Sequence, residues 1–529
     1  MPFLNRATVV CSLAGILTVG GLSLVHRPPA IGAAVRVSDA DDEDACYFCH
    51  KDAVDGFARS EMGLSMRLPA HEPDGVVRTP QATLRVASNR EGTWQTLESH
   101  GVTETYRVDY VIGSGTHASG YIVSLANHLF QSPVAWYKRR GAYGLAPGYE
   151  TEVDPDFTRP IKPGCLFCHA GSFAPVSGTI NEYAAQPFSH LAMSCSRCHG
   201  PESAHLDHPA ASNIISPDRL DAASRDSVCE QCHLKGVARV LNPGKEFTDF
   251  VVGQPLEKTF TTYIDSMPSG GQPPFKVISH SEELALSRCK RTSGNRMWCG
   301  TCHDPHHEPT DAEAASYYRA KCMTCHGATH FAASHPSRTS NCIGCHMPKR
   351  APNDGGHTVF TDHRIQRVPD HKPRGEPTGI AAWRDPPAEL AKRNLGIALI
   401  EAGTEEGSWP QIVSGYRTLT EVQHQFPNDC EMYQSMGNAL FIGRQFSEAA
   451  IAFEMGERCN PQSTSVEASL GSVYAAAGKN DAAETHLERA LVLDPMNLSA
   501  AEELIGLYEK GGETAKADVL RNKLSSLLH

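Results

Sequence analysis

One short motif occurs seven times in this chain: two cysteines separated by two residues, followed directly by a histidine. C-x-x-C-H is the attachment signature of c-type haem, in which the two thiols bind the porphyrin vinyl groups and the imidazole ligates the iron. The seven copies predict seven covalently attached haem c groups. The motif residues are Cys46, Cys49 and His50; Cys165, Cys168 and His169; Cys195, Cys198 and His199; Cys229, Cys232 and His233; Cys299, Cys302 and His303; Cys322, Cys325 and His326; and Cys342, Cys345 and His346.

Zinc binding is the main alternative for repeated C-x-x-C pairs. Two such pairs build one tetrahedral zinc cage, but zinc does not require a histidine directly after every pair. Disulfides and thioredoxin-like dithiols are further alternatives for cysteine pairs. Neither explains the histidines, so the pattern favours haem.

The N-terminus has the layout of a secretory signal. Arg6 lies in a short polar start, residues 7–25 are apolar and uncharged, and small residues follow near Ala34. This layout predicts a signal peptide over residues 1–34. The apolar run is also long enough to stay in place as a membrane anchor. We therefore expect an exported protein, periplasmic or at the cell surface, either free or anchored to the inner membrane.

Charge narrows the range of partners. The formal net charge is −12 at pH 7, and the sequence has no basic stripe. Nucleic acid is therefore not an expected partner. An acidic surface suits a basic redox protein, although a solvated acidic surface with no such role is equally ordinary.

Three regions follow the signal. Residues 45–372 hold all the haem motifs and are rich in Pro and Gly, which predicts short helices and irregular chain around the porphyrins. Within this region, alternating residues over 82–140 predict a small antiparallel β-sheet inserted between the first two motifs. Residues 373–387 have the Pro-rich, charged composition of a linker.

Residues 388–529 are predicted to form an α-solenoid. Gly437, Ala449, Phe453 and Pro461 recur 34 residues later as Gly471, Ala483, Leu487 and Pro495. This period resembles the tetratricopeptide repeat, which stacks paired helices into a solenoid with a concave surface. The solenoid is interpreted as a docking surface for a redox partner or for self-association, or else as a helical cap that stabilises the rest.

Three cysteines remain in the mature region outside the motifs. Cys430 and Cys459 are expected at the start of one repeat's first helix and the end of its second helix. Antiparallel pairing brings these helix ends together, so a disulfide is plausible in an oxidising compartment. Cys289 is left without an assigned role.

Each iron needs a sixth ligand unless it is catalytic or binds a gas. His306 lies three residues after His303, and three residues span at most about 10 Å. Because the chain cannot pass round a porphyrin edge in that distance, His306 is expected to reach a neighbouring iron; His205, six residues after His199, is interpreted in the same way. Fifteen non-motif histidines lie in this region: His71, His100, His117, His128, His190, His205, His208, His280, His306, His307, His330, His335, His357, His363 and His371.

The first motif has methionines downstream. Met62 or Met66 is a candidate ligand of the first iron, with Met62 preferred, and thioether ligation would raise its reduction potential. The alternative is that both methionines pack against the ring.

Several further motifs resemble those of exported multihaem cytochromes with a C-terminal tetratricopeptide array. The haem region is similar to the tetrahaem cytochrome that accepts electrons from hydroxylamine oxidoreductase. The resemblance implies that His205, His306 and His363 are distal ligands, with His117, His190 and His280 as further candidates. It is carried by Phe130-Gln131-Ser132-Pro133, Trp136-Tyr137, Pro147-Gly148-Tyr149, Cys198-His199-Gly200-Pro201, Ser287-Arg288-Cys289, Cys302-His303-Asp304-Pro305-His306, Cys345-His346-Met347-Pro348 and Asp362-His363-Arg364-Ile365.

The expected fold is mainly α with much irregular chain: a multihaem cytochrome c domain with a small inserted β-sheet, followed by a tetratricopeptide-like α-solenoid. The preferred functional hypothesis is an electron carrier whose solenoid docks a partner. The alternative is an oxidoreductase that acts on a small nitrogen or sulfur compound at one five-coordinate haem. Every motif copy is C-x-x-C-H, so no lysine-ligated catalytic haem is visible.

Overall fold

The structure is a computed structural model that describes residues 40–269, 271–327, 335, 341–367 and 375–528. The predicted signal peptide, His330 and His371 lie outside the described residues. The described residues belong to one compact unit. In the described part of the chain, no helix combines the length and the apolar character that a membrane crossing needs.

Two antiparallel sheets follow the first motif. The first has the order β2-β3-β4-β5 and the second β1-β6-β7-β8-β9. Alternate residues of β3 and of β4 are buried, and apolar side chains of the two sheets share one core. The strands are β1 Met66–Arg67, β2 Gly75–Arg78, β3 Ala82–Asn89, β4 Gly92–Ser99, β5 Val102–Arg107, β6 Tyr110–Ile112, β7 Ala118–Leu125, β8 His128–Tyr137 and β9 Ala142–Leu145. The β region is thus longer than the predicted 82–140 and forms two sheets rather than one.

The remaining motifs lie on short helices and loops. Few residues of these helices are buried by protein alone, as expected for chain that wraps a cofactor. The helices are α1 Ala40–Phe57, α2 Pro163–His169, α3 Ser196–His199, α4 Ser203–Asp207, α5 Ala222–His233, α6 His280–Leu286, α7 Arg288–Ser293, α8 Ala314–Met323 and α9 Ile343–His346. The strands are β10 Ser172–Pro175, β11 Tyr183–His190, β12 Ala238–Leu241, β13 Phe260–Ser266, β14 Lys349–Arg350, β15 Phe360–Thr361 and β16 Gly379–Ala382.

The predicted linker contains β16, which pairs antiparallel with β13 of the motif region. A strand at this point ties the two regions together, because its backbone hydrogen bonds belong to a shared sheet. The chain between the motif region and the solenoid is therefore partly ordered sheet.

The C-terminal region is a stack of antiparallel helix pairs. Gly437 shows why the repeat needs small residues: a Cβ there would lie 2.5 Å from the Phe453 ring, and one on Gly471 would lie 2.4 Å from Leu487. The helices therefore approach closely at the same place in each repeat. They are α10 Ala391–Glu406, α11 Trp409–Val422, α12 Cys430–Ile442, α13 Phe446–Cys459, α14 Thr464–Ala476, α15 Asn480–Leu493, α16 Leu498–Lys510 and α17 Thr514–Leu528.

The solenoid packs on the motif region instead of standing apart from it. Buried Arg393 of α10 forms an ion pair with Asp429 at 2.8 Å and also donates to the Leu241 carbonyl of β12. Met496, before α16, enters the core between the two large sheets. The disulfide between Cys430 and Cys459 is present, with Cα atoms 5.5 Å apart, as the helix pairing predicts.

Candidate functional site

All seven C-x-x-C-H motifs line one continuous cavity. Both cysteines and the histidine of every copy contribute to its wall, and its volume is about 3290 Å³. Apolar side chains such as Val54, Ile215 and Leu284 fill much of the remaining wall. The fold therefore gathers sites that are spread over 301 residues of sequence, from Cys46 to His346, into a single space.

One helical turn orients each motif. In the third, fifth and seventh copies the histidine N–H donates to the carbonyl of the first cysteine, at 2.9, 2.9 and 3.0 Å. This i to i+4 bond places both thiols and the imidazole on one side of the chain, because positions i, i+3 and i+4 share a helix face. A single turn thus presents two thiols and one imidazole toward the cavity, which is the donor set that haem c requires.

Four motif histidines each face a second imidazole ring, and the two ring planes of each pair are closer to parallel than to perpendicular. Metal–imidazole nitrogen bonds are about 2 Å long, so two imidazoles on opposite sides of one metal hold their ring centroids roughly 6 Å apart. The four pairs match this separation. They are His50–His205 at 6.3 Å, His199–His306 at 5.9 Å, His303–His363 at 6.1 Å and His346–His335 at 6.2 Å, with interplanar angles of 23°, 22°, 31° and 35°.

The fourth motif has a different environment. His233 and His280 meet edge-to-face, with centroids 5.1 Å apart and Nδ1 atoms 3.4 Å apart. His280 also lies 4.8 Å from the His363 ring, again edge-to-face. These three imidazoles and His303 therefore form one contiguous group of rings.

The other candidate ligands occupy distinct positions. His117 packs on Phe360 with centroids 4.4 Å apart and lies 3.7 Å from a Glu61 oxygen. His190 is buried at the end of β11, with Nδ1 2.8 Å from the Ala192 carbonyl oxygen. Neither belongs to one of the four pairs.

The two methionines after the first motif separate in space. Met62 is half-buried and lines the cavity, whereas Met66 packs in an apolar core with Ile122 and Leu129. The imidazole that faces His50 belongs to His205.

Burial keeps several of these imidazoles neutral. Loss of hydration, followed by the nearby His303, lowers the pKa of both His233 and His363 to about 4. Burial also lowers the pKa of His169 and His306. Neutral imidazole is the form that binds a metal, so these groups are ready to ligate at neutral pH.

The donor geometry does not suit zinc at the motifs. In the described residues, three metal-binding side chains with ligand atoms within 4.8 Å of one another occur at Glu457, Glu467 and His486, which lie in the solenoid. Arg489 ion-pairs there with Glu467 at 2.8 Å, so that cluster is a neutralised charge network. The motif residues instead form separate thiol–imidazole sets around a large apolar space, which fits a porphyrin.

His335 is the site residue that sequence reasoning did not single out. It is one of nine non-motif histidines in the haem region to which the sequence gives no ligand role, and no spacing or neighbouring motif distinguishes it from His330. Only the structure brings its ring to 6.2 Å from that of His346.

Known proteins resemble separate parts of the chain. No family model matches. Residues covering 38% of the chain are 25% identical, over 211 positions, to the multihaem cytochrome MtrA of Shewanella baltica. The chain spans 56% of the length of that relative. Part of this protein is therefore similar to a multihaem cytochrome.

Solved helical-repeat proteins match about a quarter of the chain. MamA is 19% identical with a TM-score of 0.24, covering 26% of this chain and 86% of its own. The first tetratricopeptide domain of RPAP3, in complex with an HSP90 peptide, is 20% identical with a TM-score of 0.21, over 22% of this chain and 93% of its own. PilF of Pseudomonas aeruginosa is 19% identical with a TM-score of 0.23, over 25% of this chain and 60% of its own.

Proposed function

We propose that this protein is an exported electron carrier that holds seven haem c groups in one cavity. The observation that carries the proposal is the set of four imidazole pairs, each with one motif histidine and with centroids 5.9–6.3 Å apart. The similarity of part of the chain to a multihaem cytochrome supports the same class of protein. Bound haem iron would supply reversible one-electron chemistry.

The four imidazole pairs support distal ligands for four motifs. His205, His306, His363 and His335 would complete the coordination of the first, third, fifth and seventh irons. His205 would then be the ligand in place of Met62, which the sequence favours, and Met62 would pack beside the ring. Two imidazoles favour a low-spin iron that carries electrons without binding a substrate.

The protein contributes position and exclusion of water. Each motif turn would hold one face of a porphyrin, and the largely apolar cavity wall would limit contact of the ring with solvent. A low-polarity shell influences the reduction potential of the iron. The chain would thus set both the spacing of the cofactors and their potentials.

The solenoid is proposed to dock a redox partner or a second copy of the chain. Its outer end carries a groove of about 460 Å³ between α15, α16 and α17. Val492 and Val519 border this groove and are 80% and 69% exposed. Exposed aliphatic side chains around a groove are typical of interaction surfaces.

Haem counting and ligation tests decide the main proposal. Intact-mass spectrometry and pyridine haemochrome absorbance of the mature protein should give seven haems per chain. Replacement of His205 with Ala should convert one low-spin ferric signal to high-spin in the EPR spectrum. His208→Ala is the matched control, because His208 is exposed and three residues away. A protein without tetrapyrrole, or an unchanged spectrum for His205→Ala, contradicts the proposal.

A surface test addresses docking. Val492→Glu with Val519→Glu should weaken concentration-dependent self-association in sedimentation experiments, or slow electron exchange with the partner if the protein stays monomeric. The exposed Val102 on the β-region gives a control substitution, Val102→Glu, far from the solenoid groove in sequence.

A further inference from the structure

The order of the haem sites in space differs from their order in the sequence. The fifth motif is the place where this is clearest, because it contacts three other motifs. Its contact with the third motif runs through His306. This residue lies three residues after His303 of the fifth motif, and its ring stacks over that of His199 of the third, with centroids 5.9 Å apart. Since three residues reach at most about 10 Å, the third and fifth sites are neighbours.

The fifth motif also contacts the fourth. The ring of His280 bridges His233 and His363, at 5.1 and 4.8 Å, and His363 faces His303 at 6.1 Å.

A third contact leads from the fifth motif to the sixth. The Tyr318 hydroxyl lies 3.3 Å from His303 Nδ1, and the two rings meet edge-to-face at 5.5 Å. Tyr318 belongs to α8, which carries Cys322 one turn later. The fifth site therefore has neighbours on three sides.

The third and fourth motifs contact each other and the outer motifs. Gln231 of the fourth motif donates to the Arg197 carbonyl of the third at 3.0 Å, and Arg197 donates to the Phe167 carbonyl of the second at 2.7 Å. His205, six residues after His199, stacks over His50 of the first motif. The thiol of Cys168 lies 3.7 Å from the Gln231 carbonyl oxygen, so the second motif contacts the fourth as well. Helix α8, which carries Cys322 of the sixth motif, contacts α9, which carries Cys345 of the seventh.

Burial of the cysteines is greatest at the third, fourth and fifth motifs. The cysteines of the third, fourth and fifth motifs are all partly buried. Each of the other motifs has one exposed cysteine; these are Cys49, Cys165, Cys325 and Cys345.

We propose that the seven haem sites form a branched network in which the fifth site joins the third, fourth and sixth. Site one connects to the network through site three, site two through sites three and four, and site seven through site six. This arrangement rests on the proposed function and adds to it three separate exposed ends. A three-ended carrier has room for three redox proteins at once, whereas a linear carrier has two ends.

Light-driven reduction from one end can test the arrangement. A ruthenium photosensitiser is attached to Lys51→Cys beside the first site, in a Cys289→Ser background that removes the free thiol; the Lys51 side chain is 60% exposed. With an amine as sacrificial electron donor, each ferric haem takes up one electron and becomes ferrous. The α-band absorbance then counts the haems reduced in the fast phase.

Two deletions distinguish a branched network from a chain in sequence order. Removing site four with Cys229→Ala and Cys232→Ala leaves six of the seven haems. The branched network predicts that all six are reduced rapidly, because site two stays connected through site three, whereas sequence order predicts three. Removing site two with Cys165→Ala and Cys168→Ala should leave all six in the fast phase, whereas sequence order predicts one.

Haem stoichiometry distinguishes the two proposals. Seven haems in the parent and six in each deletion, by intact mass, are required before the kinetics are interpreted; a parent without seven haems refutes the proposed function. With those counts met, a fast-phase count other than six in either deletion overturns the branched network alone. If one deletion does not fold, the other still separates the two arrangements.

Discussion

His128 of the β region and Asp494 of the solenoid form a buried ion pair, with 2.9 Å between Nε2 and Oδ1, although 366 residues separate them in sequence. The other ring nitrogen of His128 lies 2.9 Å from the Ala126 carbonyl. Asp494 also accepts hydrogen bonds from the Ile180 and Met496 N–H groups. This pair joins the solenoid to the motif region at a point far from the predicted linker.

The pair should make stability depend on pH. Burial is the largest single influence and opposes the charge on each partner, but the hydrogen bonds and opposite charges together outweigh it, raising the pKa of His128 and lowering that of Asp494. The contribution of His128 to the free energy of unfolding is complete below its unfolded pKa of about 6.5, and it is lost as pH rises through the raised pKa of the folded state. The contribution of Asp494 is complete above its unfolded pKa of about 3.9, and it is lost as pH falls through the lowered pKa of the folded state.

Asp494→Asn should therefore destabilise the protein most between about pH 4 and 6.5. Breaking a buried pair leaves an uncompensated group and costs about 3–5 kcal/mol. Thermal unfolding of the variant and the parent across pH measures the difference. Asp154→Asn, which removes the exposed His100–Asp154 pair, is the control and should change little. Equal effects of the two substitutions would refute the role given to the buried pair.

Two helical glycines should respond in opposite directions to alanine. A Cβ on Gly437 would lie 2.5 Å from the buried Phe453 ring, so Gly437→Ala should cost about 1–3 kcal/mol through overpacking. Gly506 of α16 has no neighbouring atom within 4 Å of its Cβ position, so Gly506→Ala should stabilise by about 0.5–1 kcal/mol. Urea unfolding of both variants tests the helix contact; a loss of stability in both would contradict it.

His306 should matter to one haem, and the adjacent His307 should not. His306 faces His199 across the gap expected for a metal, whereas His307 is exposed. We expect His306→Ala to produce one high-spin ferric haem and a shifted midpoint potential in redox titration, with an unchanged haem count. His307→Ala should reproduce the parent spectrum. If both variants keep every haem low-spin, the assignment of His306 fails.

The solenoid disulfide should stabilise its repeat. Cys430 and Cys459 close a loop with a sequence separation of 29 residues. Loops of this size contribute about 2–4 kcal/mol, chiefly by restricting the unfolded chain. Cys430→Ser with Cys459→Ser should lower the thermal midpoint, and dithiothreitol should lower that of the parent but not of the variant. Cys289→Ser serves as the control for loss of an unpaired thiol.

Local features of the molecule could be predicted from sequence because few residues decide them. A haem motif needs one helical turn, so five residues are enough to define the donor set around Cys195 and His199. The helix pairs of the solenoid follow from a 34-residue period, because Gly437 and Gly471 need the same close contact. The disulfide could be predicted because pairing of the two helices of one repeat brings Cys430 and Cys459 together.

The ligand pairs show where such reasoning ends. His306 could be assigned to a neighbouring site because a three-residue span limits its reach. Met62 was preferred for the first iron because it is close in sequence, but the imidazole that faces His50 comes from His205, about 155 residues away. The packing of distant segments decides such a contact, so it cannot be predicted from the residues next to His50.

The amino-acid sequence by itself determined the number and type of the haem motifs and the repeating helices, since each depends on residues within one turn or one repeat. Only the tertiary structure decided which imidazoles face each other, which motifs are neighbours of the fifth, and how the solenoid is held by His128 and Asp494. The physical reason is range: side chains on one turn are placed by local hydrogen bonds, whereas contacts between turns depend on how the whole chain fills the space around one cavity.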